Sequence, residues 1–365
     1  MKVLSLFDGM CCGMLAMQAA GVEVDRYVAY EIDKYAIKVA SHNFPQIEQC
    51  GDVFKADFTQ YEGFDYLIGG SPCTYWSIAQ KNNRETEASG LGWELFSQYV
   101  RALHEAKPKF FIYENNKSMS KQIRASIDKT FGFEAVGINS SLVSAQNRQR
   151  LYWVGKRNED GTYSKVDVQQ PEDRGILLKD VLDNAVAWQD KAYAYTTRCC
   201  AAIPDDTLEK HRHTMVAEPV AECVSSRGRY LDTGCRNVKS EAGTEQRFEA
   251  RGGGKTNALT TVQKDNMVAQ PVSTTVDGKA VGQETSSKIY EVRNGLITIK
   301  DKQYPIKLAD GFYIIRKLTV SECKRLQTVP EWYDFSVISN SQAYKCLGNG
   351  WTVEVIAHLI NATAR

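Results

Sequence analysis

The pattern of apolar and polar positions divides the chain into two regions of different character. In the first 155 residues, short apolar runs typical of buried strands alternate with stretches of helical spacing. The predicted strands cover residues 2–7, 26–31, 66–68, 110–113 and 151–154. The predicted helices follow the first strand as far as residue 20 and cover residues 34–43, 93–106 and 117–129. This alternation predicts an α/β fold with a parallel sheet covered on both faces, which binds ligands at the carboxyl ends of its strands.

From about residue 166 the pattern changes. Residues 170–310 are rich in Thr, Ser, Gly, Gln and Arg and show no regular alternation, which predicts a second, more irregular domain. A helical pattern returns at residues 318–327, where Thr319 and Glu322 form a capping box. Residues 353–364 read as an amphipathic helix that packs back on the first domain. We therefore expect a first domain at 1–165, a second at 166–312, and a return to the first at 313–365.

Composition narrows the function classes. The 365 residues include 45 Lys+Arg and 44 Asp+Glu, a formal net charge of +1, which excludes a protein that holds nucleic acid by a uniformly positive surface. Residues 223–264 nevertheless carry eight basic and four acidic residues, a local surplus of 8 − 4 = +4 that suits one charged cleft. No apolar run approaches the roughly 18 residues of a membrane span. Ten cysteines without a Cys-x-x-Cys pair or a secretion signal indicate reduced thiols in the cytoplasm.

The first turn has features of a nucleotide site. Phe7-Asp8-Gly9-Met10-Cys11-Cys12-Gly13 joins the first strand to the first helix, where small residues allow a ligand to approach the helix N-terminus. Glu31 ends the second strand, a position from which an acid hydrogen-bonds ribose hydroxyls. Asp52 follows the next turn and can accept a hydrogen bond from an adenine amino group. These residues indicate an adenosine-containing cofactor; the alternative is a tight turn with solvated acids.

A cysteine follows another buried strand. Gly69-Gly70-Ser71-Pro72-Cys73 places Cys73 at the ligand-binding edge of the sheet, where its thiolate can act as a nucleophile. The polar stretch 74–92 after it ends in glycines, as a mobile lid does. The alternative is a purely structural thiol.

Acidic and basic side chains follow the next strands. Glu114 terminates the apolar run 110–113, where a carboxyl group can serve as a proton donor. Gln146, Arg148 and Arg150 share one face if they form a strand, and their guanidinium groups can grip a base carbonyl or a phosphate. The alternatives are a solvated acid and a surface salt bridge.

In this order, these residues resemble the DNA (cytosine-5)-methyltransferase family, most closely its animal de novo and its bacterial and phage enzymes. The resemblance covers residues 2–155 and 316–364. It rests on the Phe-Asp-Gly turn, Pro72-Cys73, Glu114-Asn115, Gln146-x-Arg148-x-Arg150, Arg316-x-Leu318-Thr319-x-x-Glu322-x-x-Arg325-Leu326-Gln327 and Gly348-Asn349-Gly350. The chain departs from the usual pattern at Cys11-Cys12, Thr74 and Asn116.

The resemblance implies a Rossmann-like S-adenosylmethionine methyltransferase sheet and a smaller, irregular, β-rich target recognition domain. It implies methyl transfer to carbon 5 of a flipped cytosine in double-stranded DNA, through an adduct of the Cys73 thiolate with carbon 6. Glu114 would act at ring nitrogen 3 and Arg148 at the base carbonyl oxygen. The implied catalytic residues are Cys73, Glu114, Arg148 and Arg150. The implied cofactor contacts are Phe7, Asp8, Gly9, Gly13, Glu31, Ile32, Asp52, Val53, Pro72, Leu95, Asn349, Trp351 and Thr352.

The candidates for DNA contact are Ser77, Gln146, Arg227, Arg229 and Arg251, of which the last three lie in glycine-rich stretches expected to be loops. We expect a monomer from a bacterial or phage-infected cell, with DNA as its partner and a cognate restriction endonuclease beside it. One alternative is a transfer-RNA cytosine-5 methyltransferase, whose Cys-Phe-Thr signature this sequence lacks; another is a catalytically silent DNA-binding protein. A zinc site would need Cys199, Cys200, His211, His213 and Cys223, whose spacing fits no standard ligand pattern, so no metal is expected.

Overall fold

The computed structural model describes residues 1–77, 84–194, 204–210, 213–219, 223–230, 244–250, 267–268, 275–276, 279–280, 289–299 and 301–364. The chain divides into two units. The first unit is Met1–Leu177, Lys191–Cys200 and Val320–Arg365, and the second is Leu178–Asp190 and Ala201–Thr319. The divisions fall later in the chain than residues 165 and 312. The segment at 192–193 belongs to the first unit because Ala192 and Tyr193 pair with Gln146 and Asn147 in a parallel ladder.

The first unit is built on a twisted sheet that is parallel on one side and antiparallel on the other. Its described strands are β1 (Lys2–Leu6), β2 (Arg26–Tyr30), β3 (Glu48–Gln49), β4 (Tyr66–Gly69), β5 (Phe110–Asn116), β6 (Val136–Asn139), β7 (Gln146–Asn147), β8 (Gln149–Arg157), β9 (Tyr163–Lys165) and β10 (Ala192–Tyr193). The sheet runs β3-β2-β1-β4-β5-β8-β6, with β9 on β8. The first five strands are parallel, as expected. β8 is antiparallel to β5 and β6 because the segment 140–148 is too short for a crossover helix.

Helices flank this sheet as the sequence predicts. They are α1 (Cys12–Ala19), α2 (Lys34–Asn43), α3 (Gly90–Ala106) and α4 (Lys121–Phe131). The predicted bounds of α2 are confirmed, and Asp33 caps it by accepting from the backbone N–H groups of Tyr35 and Ala36. α4 begins later than predicted because Ser120 is its N-cap and accepts from the N–H of Ile123 at 3.1 Å. Among the described residues, no helix combines the length and apolar character needed to cross a bilayer.

The second unit is β-rich in its described part, as expected. It contains α5 (Pro204–Lys210), β11 (Met215–Pro219), β12 (Cys223–Tyr230), β13 (Thr244–Ala250), β14 (Met267–Val268), β15 (Thr275–Val276), β16 (Lys279–Ala280), β17 (Ile289–Arg293), β18 (Leu296–Ile299), β19 (Lys302–Pro305) and β20 (Gly311–Lys317). An antiparallel sheet runs β11-β20-β17-β13-β12-β14. Its apolar core includes Met215, Tyr290, Val292, Ile297 and Tyr313.

The chain then returns to the first unit through α6 (Val320–Leu326), α7 (Asn340–Asn349) and α8 (Val353–Thr363). α8 packs against α1, and the hydroxyl groups of Thr363 and Tyr66 share a hydrogen bond of 2.7 Å. Tyr333 donates to the carbonyl oxygen of Met10 at 2.6 Å, in the turn after β1. The C-terminal segment is therefore built into the same core as the first strands.

Candidate active site

The loop that carries Cys73 is tied to the neighbouring strand. After β4, Gly70, Ser71 and Pro72 lead into a short 3-10 helix, Cys73–Tyr75. The buried Ser71 hydroxyl shares a 2.6 Å hydrogen bond with the Tyr113 hydroxyl, and the Asn115 amide donates to the carbonyl oxygen of Ser71 at 3.2 Å. Pro72 is exposed, and the Cys73 side chain lies outside the described part of the structure. The loop backbone is thus fixed at the carboxyl end of β4.

Glu114 lies inside β5 and does not terminate it. Pairing with β4 stops at Tyr113, but pairing with β8 continues and sets Glu114 opposite Tyr152. The strand is longer than predicted because its antiparallel partner extends beyond β4. The Glu114 side chain is 12% exposed; Oε1 lies 3.0 Å from Arg150 Nε, and Oε2 accepts from Trp351 Nε1 at 3.1 Å. Both carboxylate oxygens therefore have a donor.

The two arginines of the Gln-x-Arg-x-Arg motif have different partners. Arg148 is buried and donates to the carbonyl oxygen of Gly350 at 2.8 Å and of Gly348 at 3.4 Å. Arg150 is the guanidinium beside Glu114. The contact of Arg148 with a base carbonyl oxygen stays a prediction; the structure shows it bonded to the backbone of the C-terminal segment.

Gln146 is fully buried and therefore has no surface to offer to DNA, contrary to expectation. Neither atom of its amide has a hydrogen-bond partner among the described residues.

The turn after β1 is held in a strained conformation. Phe7 and Cys11 adopt left-handed backbone angles, with φ of 57° and 68°, and Gly9 lies between them at 62°. Non-glycine residues rarely adopt such angles, and they cluster at functional sites where the surroundings enforce them. The Gly9 N–H donates to Glu31 Oε2 at 2.8 Å. This bond links the turn to the carboxyl end of β2.

Two of the expected cofactor contacts, Asp8 and Gly13, pack against buried side chains of the first unit. The Asp8 carboxyl is buried beneath the turn, where Oδ1 accepts from the Ser5 and Tyr27 hydroxyls at 2.6 Å each. Burial raises the pKa of Asp8 above its ordinary value. A Cβ on Gly13 would lie 2.3 Å from Ile68 Cδ1 and 2.4 Å from the Tyr27 hydroxyl. Gly13 thus allows α1 to pack on the sheet, and Asp8 Oδ1 is bonded to the side chains beneath the turn.

The ends of β2 and β3 carry carboxylates beside exposed apolar side chains. Glu31 Oε1 accepts from the N–H groups of Ile32 and Asp33, and Asp52 Oδ1 accepts from the Phe54 N–H at 3.0 Å. Ile32 is 77% exposed and Phe54 is 47% exposed. Exposed apolar side chains beside carboxylates fit a purine and its ribose hydroxyls. Phe54 was not among the predicted contacts; the only sign of it in the sequence is an aromatic residue two positions after Asp52.

Of the other predicted cofactor contacts, two are at least partly exposed and two are buried. Asn349 is exposed at the end of α7, and Leu95 is half-buried on α3. Val53 is buried, and its carbonyl oxygen accepts from Arg101 at 2.8 Å. The buried Thr352 hydroxyl bonds to the Ser140 hydroxyl and donates to Gln327 Oε1, which anchors the start of α8.

Several candidates lie partly or wholly outside the described residues. Ser77 is half-buried at the end of a described stretch. Arg227 and Arg229 lie in β12, with Arg227 opposite Arg247, so the loop expected there is a strand. Of the predicted DNA-contact and zinc candidates, four lie outside the described residues: Arg251, Cys199, Cys200 and His211. The side chains of Arg227, Arg229 and Cys223 also lie outside the described part of the structure. The described residues contain no cluster of three or more side chains that could hold a metal ion.

The described cysteines behave largely as buried apolar residues. Cys11, Cys12, Cys323 and Cys346 are buried and form no disulfide, whereas Cys50 forms no disulfide and is exposed. Burial raises the pKa of the Cys12 thiol to about 12, so it stays neutral.

Comparison with known proteins agrees with this geometry. The family described as C-5 cytosine-specific DNA methylase matches residues 1–365. The orphan methyltransferase M.SPRI of Bacillus phage SPR is 28% identical over 429 residues, covering 98% of this chain and 95% of the phage protein. The type II methyltransferase M.FnuDI of Fusobacterium nucleatum is 26% identical over 376 residues, covering 99% and 93%.

Solved structures confirm the fold. The chain resembles the Dnmt2 methyltransferase of S. pombe with a TM-score of 0.55 and 12% identity, over 98% of this chain and 96% of that one. It resembles a DNMT2 of Spodoptera frugiperda with a TM-score of 0.54 and 15% identity, over 100% and 99%. The chain therefore belongs to the C-5 cytosine-specific DNA methylase family, whose members are S-adenosylmethionine-dependent cytosine-5 methyltransferases.

Proposed function

We propose that this protein methylates carbon 5 of cytosine in double-stranded DNA. The observation that carries the proposal is the hydrogen-bonded connection between two motifs: Ser71, in the Cys73 loop, is bound to Tyr113 and Asn115, which flank Glu114. A nucleophile and an acid are thus supported by one network. The carboxyl ends of β2 and β3 offer the place for the cofactor.

The chemistry follows from the weak nucleophilicity of cytosine carbon 5. The Cys73 thiolate adds to carbon 6, and the displaced electron pair makes carbon 5 enamine-like. Glu114 supports this step by protonating or hydrogen-bonding ring nitrogen 3. When bound, S-adenosylmethionine supplies an electrophilic methyl group. Loss of the carbon-5 proton to a base then restores the double bond as the carbon–sulfur bond to Cys73 breaks.

In this proposal Arg150 makes the contact with the base carbonyl oxygen that the family resemblance implies for Arg148. Its guanidinium lies against Glu114 and is 16% exposed, so it can both orient that carboxylate and donate to the base carbonyl oxygen. Arg148 positions the backbone next to Trp351 by donating hydrogen bonds to the carbonyl oxygens of Gly348 and Gly350.

The substrate must be flipped out of the helix, because carbon 6 of a stacked, paired cytosine is inaccessible. The basic surplus at 223–264 supports a polyanionic substrate. DNA is favoured over transfer RNA because the Cys-Phe-Thr signature is missing.

The test is methyl transfer with labelled S-adenosylmethionine to duplex DNA and, in parallel, to total transfer RNA. We expect label in DNA alone; label in transfer RNA alone would overturn the choice of substrate. Duplex DNA containing 5-fluorocytosine should trap a covalent complex, since fluorine cannot leave carbon 5 as a proton does.

The nucleophile is tested in the same assays. Cys73→Ser should give neither methylated DNA nor the covalent complex while still binding S-adenosylmethionine, and the exposed Cys50→Ser should behave as wild type. Methyl transfer by the Cys73 variant would refute the assignment of the nucleophile.

A further inference from the structure

The Glu114 carboxylate is held from two sides by residues that come from distant parts of the chain. Arg150, on the neighbouring strand β8, lies 3.0 Å from Oε1. Trp351 donates its indole N–H to Oε2 at 3.1 Å from a position 237 residues further along the chain. The sequence resemblance gave Trp351 only a cofactor contact, so its bond to the acid is an unassigned interaction.

The backbone on both sides of Trp351 is fixed. Arg148 donates to the carbonyl oxygens of Gly348 and Gly350 just before it. Just after it, the Thr352 hydroxyl donates to Gln327 Oε1 at 3.0 Å. These bonds fix the backbone from which the indole reaches Glu114.

The contacts form a closed ring. Glu114 is joined to Trp351, the backbone beside Trp351 is joined to Arg148, and Arg148 lies two residues from Arg150, which returns to Glu114. The far side of Oε2 is closed as well, because a Cβ on Gly70 would lie 2.8 Å from that atom. The carboxylate therefore has one well-supported orientation.

We infer that Trp351 is a positioning residue for Glu114, which it orients through the indole N–H, in addition to any contact with the cofactor. This inference rests on the proposed role of Glu114. An aromatic ring without the N–H would still pack beside Glu114 Oε2 but would no longer donate a hydrogen bond to it. The acid then samples orientations that do not face ring nitrogen 3, and the chemical step slows while cofactor affinity is unchanged.

The decisive variant is Trp351→Phe, which keeps an aromatic ring and removes the N–H. A hydrogen bond to a charged group corresponds to roughly a 10- to 100-fold effect. We expect a loss of that size in the single-turnover rate at saturating S-adenosylmethionine, with a cofactor Kd within about twofold of wild type. Trp332→Phe, at an exposed tryptophan outside the site, is the matched control and should change neither value.

A double-mutant cycle separates positioning from general disruption. In a Glu114→Gln background, Trp351→Phe should slow the reaction by no more than about twofold, because the group that it orients is already disabled. An equal loss in both backgrounds would overturn the inference. So would a higher Kd with an unchanged rate, which would leave Trp351 as a cofactor contact alone.

A third measurement does not need a substrate. The six tryptophans give six indole N–H signals in a ¹⁵N-labelled sample, and Trp351→Phe identifies one by its loss. Glu114→Gln should move that signal upfield and leave the Trp332 signal in place; an unmoved Trp351 signal would refute the hydrogen bond. This spectrum decides the contact even if neither nucleic acid is methylated, an outcome that would defeat the proposed function separately. If Trp351→Phe fails to fold, the test is whether Glu114→Gln moves one of the six signals upfield; six unmoved signals would refute the hydrogen bond.

Discussion

Arg148 donates to the carbonyl oxygen of Gly350 at 2.8 Å, although 202 residues separate the two in the chain. The bond joins the edge of the sheet to the turn between α7 and α8. The guanidinium is buried, and a buried charged group that loses hydrogen-bond acceptors is destabilising. The contact therefore couples the stability of the first unit to the geometry of the site.

Arg148→Lys should be destabilising. Lysine presents a single ammonium group and cannot reproduce the forked contacts to two carbonyl oxygens. We expect a loss of about 1.5–3 kcal/mol in the free energy of unfolding, measured with urea. Arg124→Lys, on the exposed face of α4, should stay within about 0.5 kcal/mol. Equal effects of the two substitutions would contradict the structural role of Arg148.

Glu114→Gln should reduce the single-turnover methylation rate by about 10²–10⁴-fold, because an amide cannot donate the proton that the acid supplies. The substitution preserves the shape of the side chain, and S-adenosylmethionine should bind with an unchanged Kd. The rate and the Kd are measured on the same preparation. A rate close to wild type would remove Glu114 from the mechanism.

Gly13→Ala should act on stability through packing. The added methyl group would meet the Tyr27 hydroxyl, which lies on a rigid ring and is hydrogen-bonded to Asp8. Overpacking of this kind costs about 1–3 kcal/mol. Gly137→Ala is the control, since its Cβ would lie 3.7 Å from Leu151 in ordinary contact. If Gly13→Ala weakened cofactor binding without lowering stability, the glycine would belong to the ligand site after all.

Asp8→Asn should change how stability depends on pH. Burial raises the pKa of Asp8 above 3.8, so the carboxyl stabilises the fold while protonated, and this contribution is lost as pH rises from 3.8 through the folded pKa. Asparagine keeps the acceptor for Ser5 and Tyr27 and does not titrate. The unfolding free energy of the variant minus that of wild type should therefore increase with pH and then level off. Urea unfolding between pH 4 and 8 measures this difference; a flat or falling difference would contradict the prediction.

Phe54→Ala should weaken S-adenosylmethionine binding roughly 5- to 30-fold, if the ring covers the purine as its exposure beside Asp52 suggests. Calorimetric titration of the variant measures the Kd. Trp332→Ala removes an exposed ring elsewhere and should bind the cofactor as wild type does. Equal affinities of the Phe54 variant and wild type for S-adenosylmethionine would contradict a contact between Phe54 and the adenine.

Local patterns in the sequence were sufficient to predict much of the fold. The bounds of α2 could be predicted because Asp33 and the apolar spacing act within a few residues of each other. The partners of Arg148 could not be predicted, because spacing within a strand cannot reveal a turn about 200 residues away. The partner of Arg150 depends on the antiparallel pairing of β5 with β8, which the expected parallel sheet did not include. Glu114 was expected at a strand end for the same reason: the length of β5 depends on β8, which follows it in the chain. Gly13 shows a further limit, since a packing glycine and a ligand-binding glycine look alike in sequence.

The bond between Trp351 and Glu114 also bears on the synthesis of the protein. A ribosome adds about 5–20 residues per second, so the nascent chain carries Glu114 for on the order of 10–50 s before Trp351 is made. During that time the Cys73 loop and the acid lack the indole and the α7–α8 turn that orient them. The contact between Trp351 and Glu114 therefore forms only after the segment that carries Trp351 has left the ribosome.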